Sequence, residues 1–466
     1  MNIDKLILEA EINIKPQFAQ ISDIVQHNTA KVLAAFRDNR VSTAHLSGTN
    51  GYGYDDAGRE VCDKVFAQVF GAEDALVRYN FVSGTHAIST ALRAILRPGD
   101  TLVYLNKPYD TLHSVIKYLK TFGIEYVEIA DYCQLSTVNC QLLCIQKSRG
   151  YEWERESLSN QQIGEIIAEI KRISPETIVL VDNCYGEFVE KTEPTNNEQV
   201  TTNNYGLFAY ASSFKKSYKI KEFRKKFYNS YSLFVIRCSL KSASADLVVG
   251  SLIKNPGGGI CQTGGYIAGK RDLIEKCAES LTAAGLGKQT GATLNANREI
   301  LQGLFVAPHA VGEALKTAAF AGELFRLAGF EVRPVNSRQL AVGSNKHWKK
   351  TSENNIQLST VNCQLSTKSD IVTAIKLGTS EKLLAFCAGI QSASPIDSHL
   401  TPTPWAMPGY AIDVVMAGGT FVQGSTLELS ADSAMREPFV AYLQGGLTYE
   451  SAKIAVVEAL KNILEV

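Results

Sequence analysis

The chain has 466 residues, 45% hydrophobic and 20% charged, which excludes wholesale disorder and leaves room for two or three domains. Lys plus Arg and Asp plus Glu are 47 each, so the formal charge is zero and the basic excess that phosphate-backbone contacts demand is missing. The sequence shows no long apolar run, no basic-then-apolar N-terminus and no C-x-x-C pair among its ten cysteines, so the expectation is a cytoplasmic protein with free thiols, no metal site, no membrane span and no nucleic-acid partner.

Residues 1–40 carry Leu6, Ile7, Ile12, Phe18, Ile21, Ile24, Val25 and Val32 at helical spacing. They predict two short helices broken near Pro16, packed on a partner chain. A Gly-rich aromatic loop follows at His45–Tyr54, then a helix through Glu60, Val65 and Phe70. From residue 75 apolar runs alternate with amphipathic ones. Ala75–Val77, Thr101–Leu105, Tyr126–Ile129 and Ile178–Val181 predict buried strands, and Ile88–Leu96, Thr111–Phe122 and Gln161–Ile173 predict helices. Such alternation implies βαβ units around a mostly parallel sheet, whose ligands sit at the carboxyl ends of the strands. Later come a helix at Val311–Leu327, a strand at Phe330–Pro334 and a closing helix at Tyr449–Leu464. The division is therefore an N-terminal segment 1–59, a large domain 60–305 and a smaller C-terminal α/β domain 306–466.

Gln134–Leu142 recurs without change at Gln357–Leu365. Nine identical residues in unrelated contexts are not a solenoid period and read as inserted material on surface loops. Insertions are expected at about 132–142, 195–244 and 340–368; the second is polar, with basic pairs at Lys215-Lys216 and Lys225-Lys226.

Three pieces carry chemistry. Asp182 closes an apolar strand, Lys254 stands in the glycine-rich stretch Gly250–Gly259, and Ser83-Gly84-Thr85 opens a helix. Pyridoxal phosphate needs an amine, a carboxylate at its ring nitrogen and a phosphate cradle. Lys254 supplies the amine, and Asp182 favours the protonated ring that stores a carbanion's electron pair. Ser83, Gly84 and Thr85 offer a helix N-terminus to the phosphate, and Ser251 offers a hydroxyl.

Long motifs in order then resemble a known family. HLSGTNGYGYDDAGRE (45–60), SGTHAIS (83–89), KPYDTL (107–112), VDNCYGEFVE (181–190), GSLIKNPGGGI (250–260), QGLFVAPH (302–309), WAMPGY (405–410), ELSAD (428–432) and YLQGGLTY (442–449) are similar to the fold-type-I pyridoxal-phosphate enzymes of cysteine and methionine metabolism. More closely they resemble the methionine γ-lyase-like, aluminium-resistance group. The resemblance implies an aspartate-aminotransferase-like fold: a large domain with a mostly parallel sheet and a smaller C-terminal domain. It also implies a carbon–sulfur lyase acting on a sulfur-containing amino acid through a Lys254 aldimine. Tyr109 would stack on the cofactor ring and assist catalysis. Tyr54, with Tyr52, would reach the phosphate of a neighbouring subunit in a homodimer or homotetramer. Asp397, Trp405 and Tyr410 would line the pocket. Two departures stand out: Ile253 where a hydroxyl residue precedes the lysine, and Glu428 where the resemblance predicts a carboxylate-binding arginine. Arg436 is the substitute for substrate binding, because a planar guanidinium suits a carboxylate. Transamination, side-chain replacement and an impaired cofactor-binding relative remain alternative outcomes of the same constellation.

Overall fold

The structure, a computed structural model, describes residues 2–191, 245–334 and 369–466. Helix α1 (Ile3–Asp38) is capped by Asn2, whose side chain accepts the Lys5 N–H. The break expected near Pro16 does not occur, and α1 runs through it. A mid-helix proline costs about 3 kcal/mol. Here one face, including Ala10, Ile14, Ile21 and Ile24, stays buried over several turns, and that packing holds the helix together. Its inner face lies along the chain's own long helix, α7 (Ala296–Leu327). Contact is close at Gly312, where a Cβ would come within 2.3 Å of Val25.

The predicted βαβ alternation builds a seven-stranded sheet. Its strands are β1 (Asp74–Arg78), β2 (Thr101–Leu105), β3 (Glu125–Ile129), β4 (Leu142–Gln146), β5 (Ile178–Asp182), β6 (Leu247–Ser251) and β7 (Gly265–Gly269), in the order β1-β7-β6-β5-β4-β2-β3. Only β7 runs antiparallel to its neighbours. The connecting helices are α2 (Ala57–Phe70), α3 (Gly84–Ile95), α4 (Leu112–Lys120), α5 (Asn160–Ile173) and α6 (Arg271–Leu281). Successive strand residues point to opposite faces, and here both faces are apolar. Leu102, Leu142 and Leu180 pack with α3, α4 and α6, while Val103, Leu143 and Val181 pack with Ile163, Ile167 and Ile170 of α5.

A second sheet is antiparallel throughout: β10 (Val414–Ala417), β11 (Ser430–Ala434), β12 (Val440–Gln444), β9 (Val372–Lys376) and β8 (Glu331–Arg333), in that spatial order. Helices α8 (Ser380–Ser392) and α9 (Tyr449–Leu464) pack against each other and share its core. The boundary drawn at 305/306 falls inside α7. Leu301, Leu304 and Val311 of that helix belong to the core of the large domain, and Phe320, Leu324 and Phe325 to the core of the second sheet.

The first repeat copy departs from its expected place on the surface. Leu135 and Cys140 are buried, and Leu142 begins the central strand β4. Leu135 and Cys140 fill space under α5 and Leu142 packs on the opposite face of the sheet, so these residues are core rather than ornament. The second copy and the basic pairs at 215–226 lie outside the described residues. Among the described residues no helix is long and apolar enough to cross a membrane.

One side chain ties α1 to the site-bearing edge of the sheet. Asn28 is fully buried, and its amide donates to the carbonyls of Ile24, Phe188 and Glu190, each at 3.1 Å. Asn28→Ala should therefore destabilise the fold by about 1–3 kcal/mol, the cost of leaving buried carbonyls unpaired. Chemical denaturation measures it, and an unchanged midpoint would contradict this anchoring role.

Candidate active site

Parallel strands deliver their carboxyl ends to one edge, and the site is built there. Asp182 ends β5, directly opposite Val249 of the adjacent β6. Ser251 ends β6, and Lys254 follows in an extended conformation as the residue before a short turn. Glycines permit that turn: a Cβ on Gly257 would meet the Leu252 carbonyl at 1.7 Å, and Gly258 has φ +59°. Asn255 fixes it from the other side by donating to the Glu187 carbonyl at 2.9 Å.

The predicted cradle sits beside these strands. Ser83 caps α3, its hydroxyl accepting the His86 N–H at 3.1 Å. The N–H groups of Gly84 and Thr85 stand in the first helical turn, where no intrahelical acceptor exists. A Cβ on Gly84 would lie 3.2 Å from Cys184 Sγ and 3.3 Å from the Ser251 side chain, so a larger residue would close the space. Thr85 and Thr111 share a hydroxyl–hydroxyl bond of 2.9 Å.

Lys254 Nζ lies 4.6 Å from the centre of the Tyr185 ring and 3.3 Å from Thr426 Oγ1. Burial pushes its amine below the usual lysine range, against the pull of Cys184, Asp432, Glu187 and Asp182. Burial pushes the Asp182 carboxyl up, while the Cys184 N–H at 3.1 Å and the charges of Lys254 and Arg155 pull it back. A third carboxyl, Glu187, is 1% exposed and bonded by the Tyr266 hydroxyl at 2.9 Å. Burial raises it to about 8, so it is protonated at neutral pH.

Tyr109 is held from both domains. Its hydroxyl meets that of Tyr410 at 2.7 Å, and its ring stands edge-on to Tyr151 at 5.5 Å. Gly150, at φ +59°, lets the backbone approach: a Cβ there would be 3.1 Å from the Tyr109 ring. Tyr151 donates to Asp432, which Gln444 also bonds at 2.7 Å. Several buried polar atoms in this region have no partner among the described residues: Glu187 Oε2, Asn255 Oδ1, Ser425 Oγ, Asp432 Oδ1 and Gln444 Oε1. Buried donors and acceptors are rarely left unpaired, so such a concentration marks a place for a polar ligand.

The other predicted residues fall elsewhere. Tyr52 and Tyr54 stack on each other at 5.5 Å on an exposed loop, 74% and 59% accessible. Arg436 stands at the rim, its guanidinium 3.4 Å from the Glu152 carboxylate. Glu428, where an arginine was expected, accepts the N–H groups of Phe421 and Val422 at 2.7 and 2.8 Å, a loop-fixing role only a carboxylate or amide can fill. Trp405 is half exposed and bridges to Val414. Tyr185, Glu187, Tyr151, Thr426, Asp432 and Gln444 were not picked out from sequence. Tyr185 and Glu187 lie inside VDNCYGEFVE and Asp432 inside ELSAD, so the motifs contained them without saying what they meet.

An amine and a carboxylate at neighbouring strand ends, beside a helix N-terminus and beneath a second sheet, define an α/β protein of the aspartate-aminotransferase type. Structures only 14% identical to this chain share the fold, with TM-scores of 0.54 and 0.55. The model of the methionine gamma-lyase family matches residues 3–200, 220–342 and 347–464, and the chain belongs to that family. Bacillus subtilis YnbB, itself uncharacterised, is 37% identical over 482 residues, covering 99% of this chain and 97% of that one. A Clostridium novyi structure described as a carbon-sulfur lyase involved in aluminum resistance is 38% identical, covers 99% of this chain and 96% of its own, and has a TM-score of 0.78. A Listeria monocytogenes structure described as a proposed cystathionine beta-lyase involved in aluminum resistance is 37% identical, covers 99% of this chain and 100% of its own, and has a TM-score of 0.79.

Glu187 gives the site a stability signature. Its folded value near 8 lies above its ordinary 4.5, so its contribution is full below about pH 4.5 and is lost as pH rises through 8. Glu187→Gln cannot ionise, and its thermal midpoint should fall less than that of the wild type between about pH 5 and pH 8. Parallel pH profiles of the two would mean that Glu187 is already ionised in the folded protein.

Proposed function

We propose that the protein is a pyridoxal-phosphate-dependent carbon–sulfur lyase acting on a sulfur-containing amino acid. One observation carries this reading: Lys254 and Asp182 lie within electrostatic reach of each other at the ends of β6 and β5, next to the free helix end of α3. Membership of the methionine gamma-lyase family and the lyase descriptions of the Clostridium and Listeria relatives support it.

The donor set fits the cofactor. Lys254 would bind it covalently, Asp182 would face its ring nitrogen, and Tyr109 would lie on its face. Gly84, Thr85 and Ser251 would hold the phosphate, with Tyr52 and Tyr54 of a second copy of this chain closing that end. When bound, the cofactor supplies an electron sink for the carbanion that carbon–sulfur cleavage requires. The chain does the rest. The Cys184 N–H and the nearby cations favour the anionic form of Asp182 against the burial that raises it. Lys254, its amine made less basic by burial, can take a proton from substrate carbon and return it. The bonded hydroxyls of Tyr109 and Tyr410 span the two domains over the site and keep bulk water from it. The thiol leaves from the substrate side chain.

Lys254→Ala should abolish the visible absorption band of the bound cofactor and all turnover. A purified variant that keeps the band would overturn the assignment. The wild type should release thiol and keto acid from at least one of cysteine, cystathionine and methionine; none from any of them, with the band present, argues for the impaired alternative. Gly84→Val should fill the cradle and raise the cofactor's dissociation constant at least about tenfold, or about 1.4 kcal/mol, by equilibrium titration.

A further inference from the structure

The second sheet presents one row of side chains on a single face: Asp432, Tyr442, Ala374 and Arg333 stand directly opposite one another across β11, β12, β9 and β8. Asp432 stands at one end of that row, within electrostatic reach of Lys254, and is 2% exposed. Its Oδ2 accepts from Tyr151 and from Gln444 Nε2, whereas Oδ1 has no partner among the described residues. A buried carboxylate with an unpaired oxygen is costly unless a cation faces it. Here the cation acting on it is Lys254. The two are also joined through side chains. Lys254 Nζ stands over the Tyr185 ring and touches Thr426, in the segment leading to β11, and the Tyr185 side chain bonds to Tyr151, which holds Asp432.

Three carboxyls surround the amine. Glu187 is protonated at neutral pH. Asp182 is engaged at the ring nitrogen once cofactor is present, on the reading above. Asp432 is the remaining carboxyl, with one oxygen turned from its Tyr151 and Gln444 donors, that can serve the lysine. We propose that Asp432 is the counter-ion of Lys254, a positioning residue from the C-terminal sheet that holds the lysine's proton in the site. The inference rests on the reading of Lys254 as the cofactor-binding lysine. During turnover the freed amine takes the proton as the substrate C–H bond breaks and gives it up as the C–S bond breaks. A carboxylate beside it stabilises the ammonium between those two events. The groups facing the amine are Asp182, Cys184, Glu187 and Tyr185; those facing Asp432 are Tyr151, Gln444, Tyr185, Tyr410 and Cys387.

The test is a pH titration of the visible absorption band in cofactor-loaded wild type, Asp432→Asn and Asp432→Glu. Removing the anion destabilises the protonated nitrogen, so the midpoint in Asp432→Asn should move down by at least about one pH unit, with partial return in Asp432→Glu. Turnover should fall about tenfold or more in kcat with KM within about threefold, since the effect is on the proton and not on substrate affinity. A midpoint that does not move overturns the proposal. Should Asp432→Asn not fold, Tyr151→Phe takes its place: losing that donor leaves a more basic carboxylate, the midpoint should rise, and no rise overturns the proposal equally. A wild type that loads cofactor but cleaves no sulfur amino acid defeats the lyase reading alone, because the titration still decides the role of Asp432.

Discussion

An amine and a carboxylate are withdrawn from water together at the carboxyl edge of the large sheet, and much of the surrounding structure serves to make that tolerable. Neither group could be charged there alone, since taking one ion out of water costs several kcal/mol. A backbone N–H and the field of Lys254 and Arg155 oppose the burial that raises Asp182; Cys184, Asp432, Glu187 and Asp182 oppose the burial that lowers Lys254. The parallel pairing of β5 with β6 creates this arrangement, because it brings both strands to an end on the same side.

The second sheet completes the environment. Thr426 and Asp432 reach the lysine from the β11 side, Tyr410 bonds Tyr109, and Gln444 joins Tyr151 on Asp432. All of these cross from one sheet's territory to the other. The long helix α7, contributing to both cores, and α1 along its flank are what keep the two sheets in register. A methylene-sized shift in that packing would be felt in the hydroxyl and carboxylate contacts over the site, as close-packed interiors transmit strain.

Sequence alone was sufficient for the elements whose signals are local. The strands ending near residues 77, 105, 129 and 181 were visible as apolar runs, and the closing helix has the predicted bounds Tyr449–Leu464. Asp182, Lys254 and the Ser83-Gly84-Thr85 turn were legible because strand ends, glycine-rich turns and helix N-termini leave short-range marks. The continuous α1 was not, because proline's local penalty is visible in sequence whereas the compensating contact with α7 is not. Strand β11 was missed for a related reason: Ser430–Ala434 carries little apolar character of its own and is a strand through its neighbours.

Composition, motif order and local periodicity thus determined the family, the parallel sheet and the candidates for amine, ring partner and cradle. Tertiary structure decided which residues share a space. It joined the hydroxyls of Tyr109 and Tyr410, brought the Tyr185 ring and Asp432 to the lysine, assigned Glu428 to a loop, and left Arg436 at the rim beside Glu152. The physical reason is range. A turn or a cap is written in adjacent residues, but the partner of a buried charge is chosen by packing between distant segments, as with Tyr151 and Asp432, 281 positions apart.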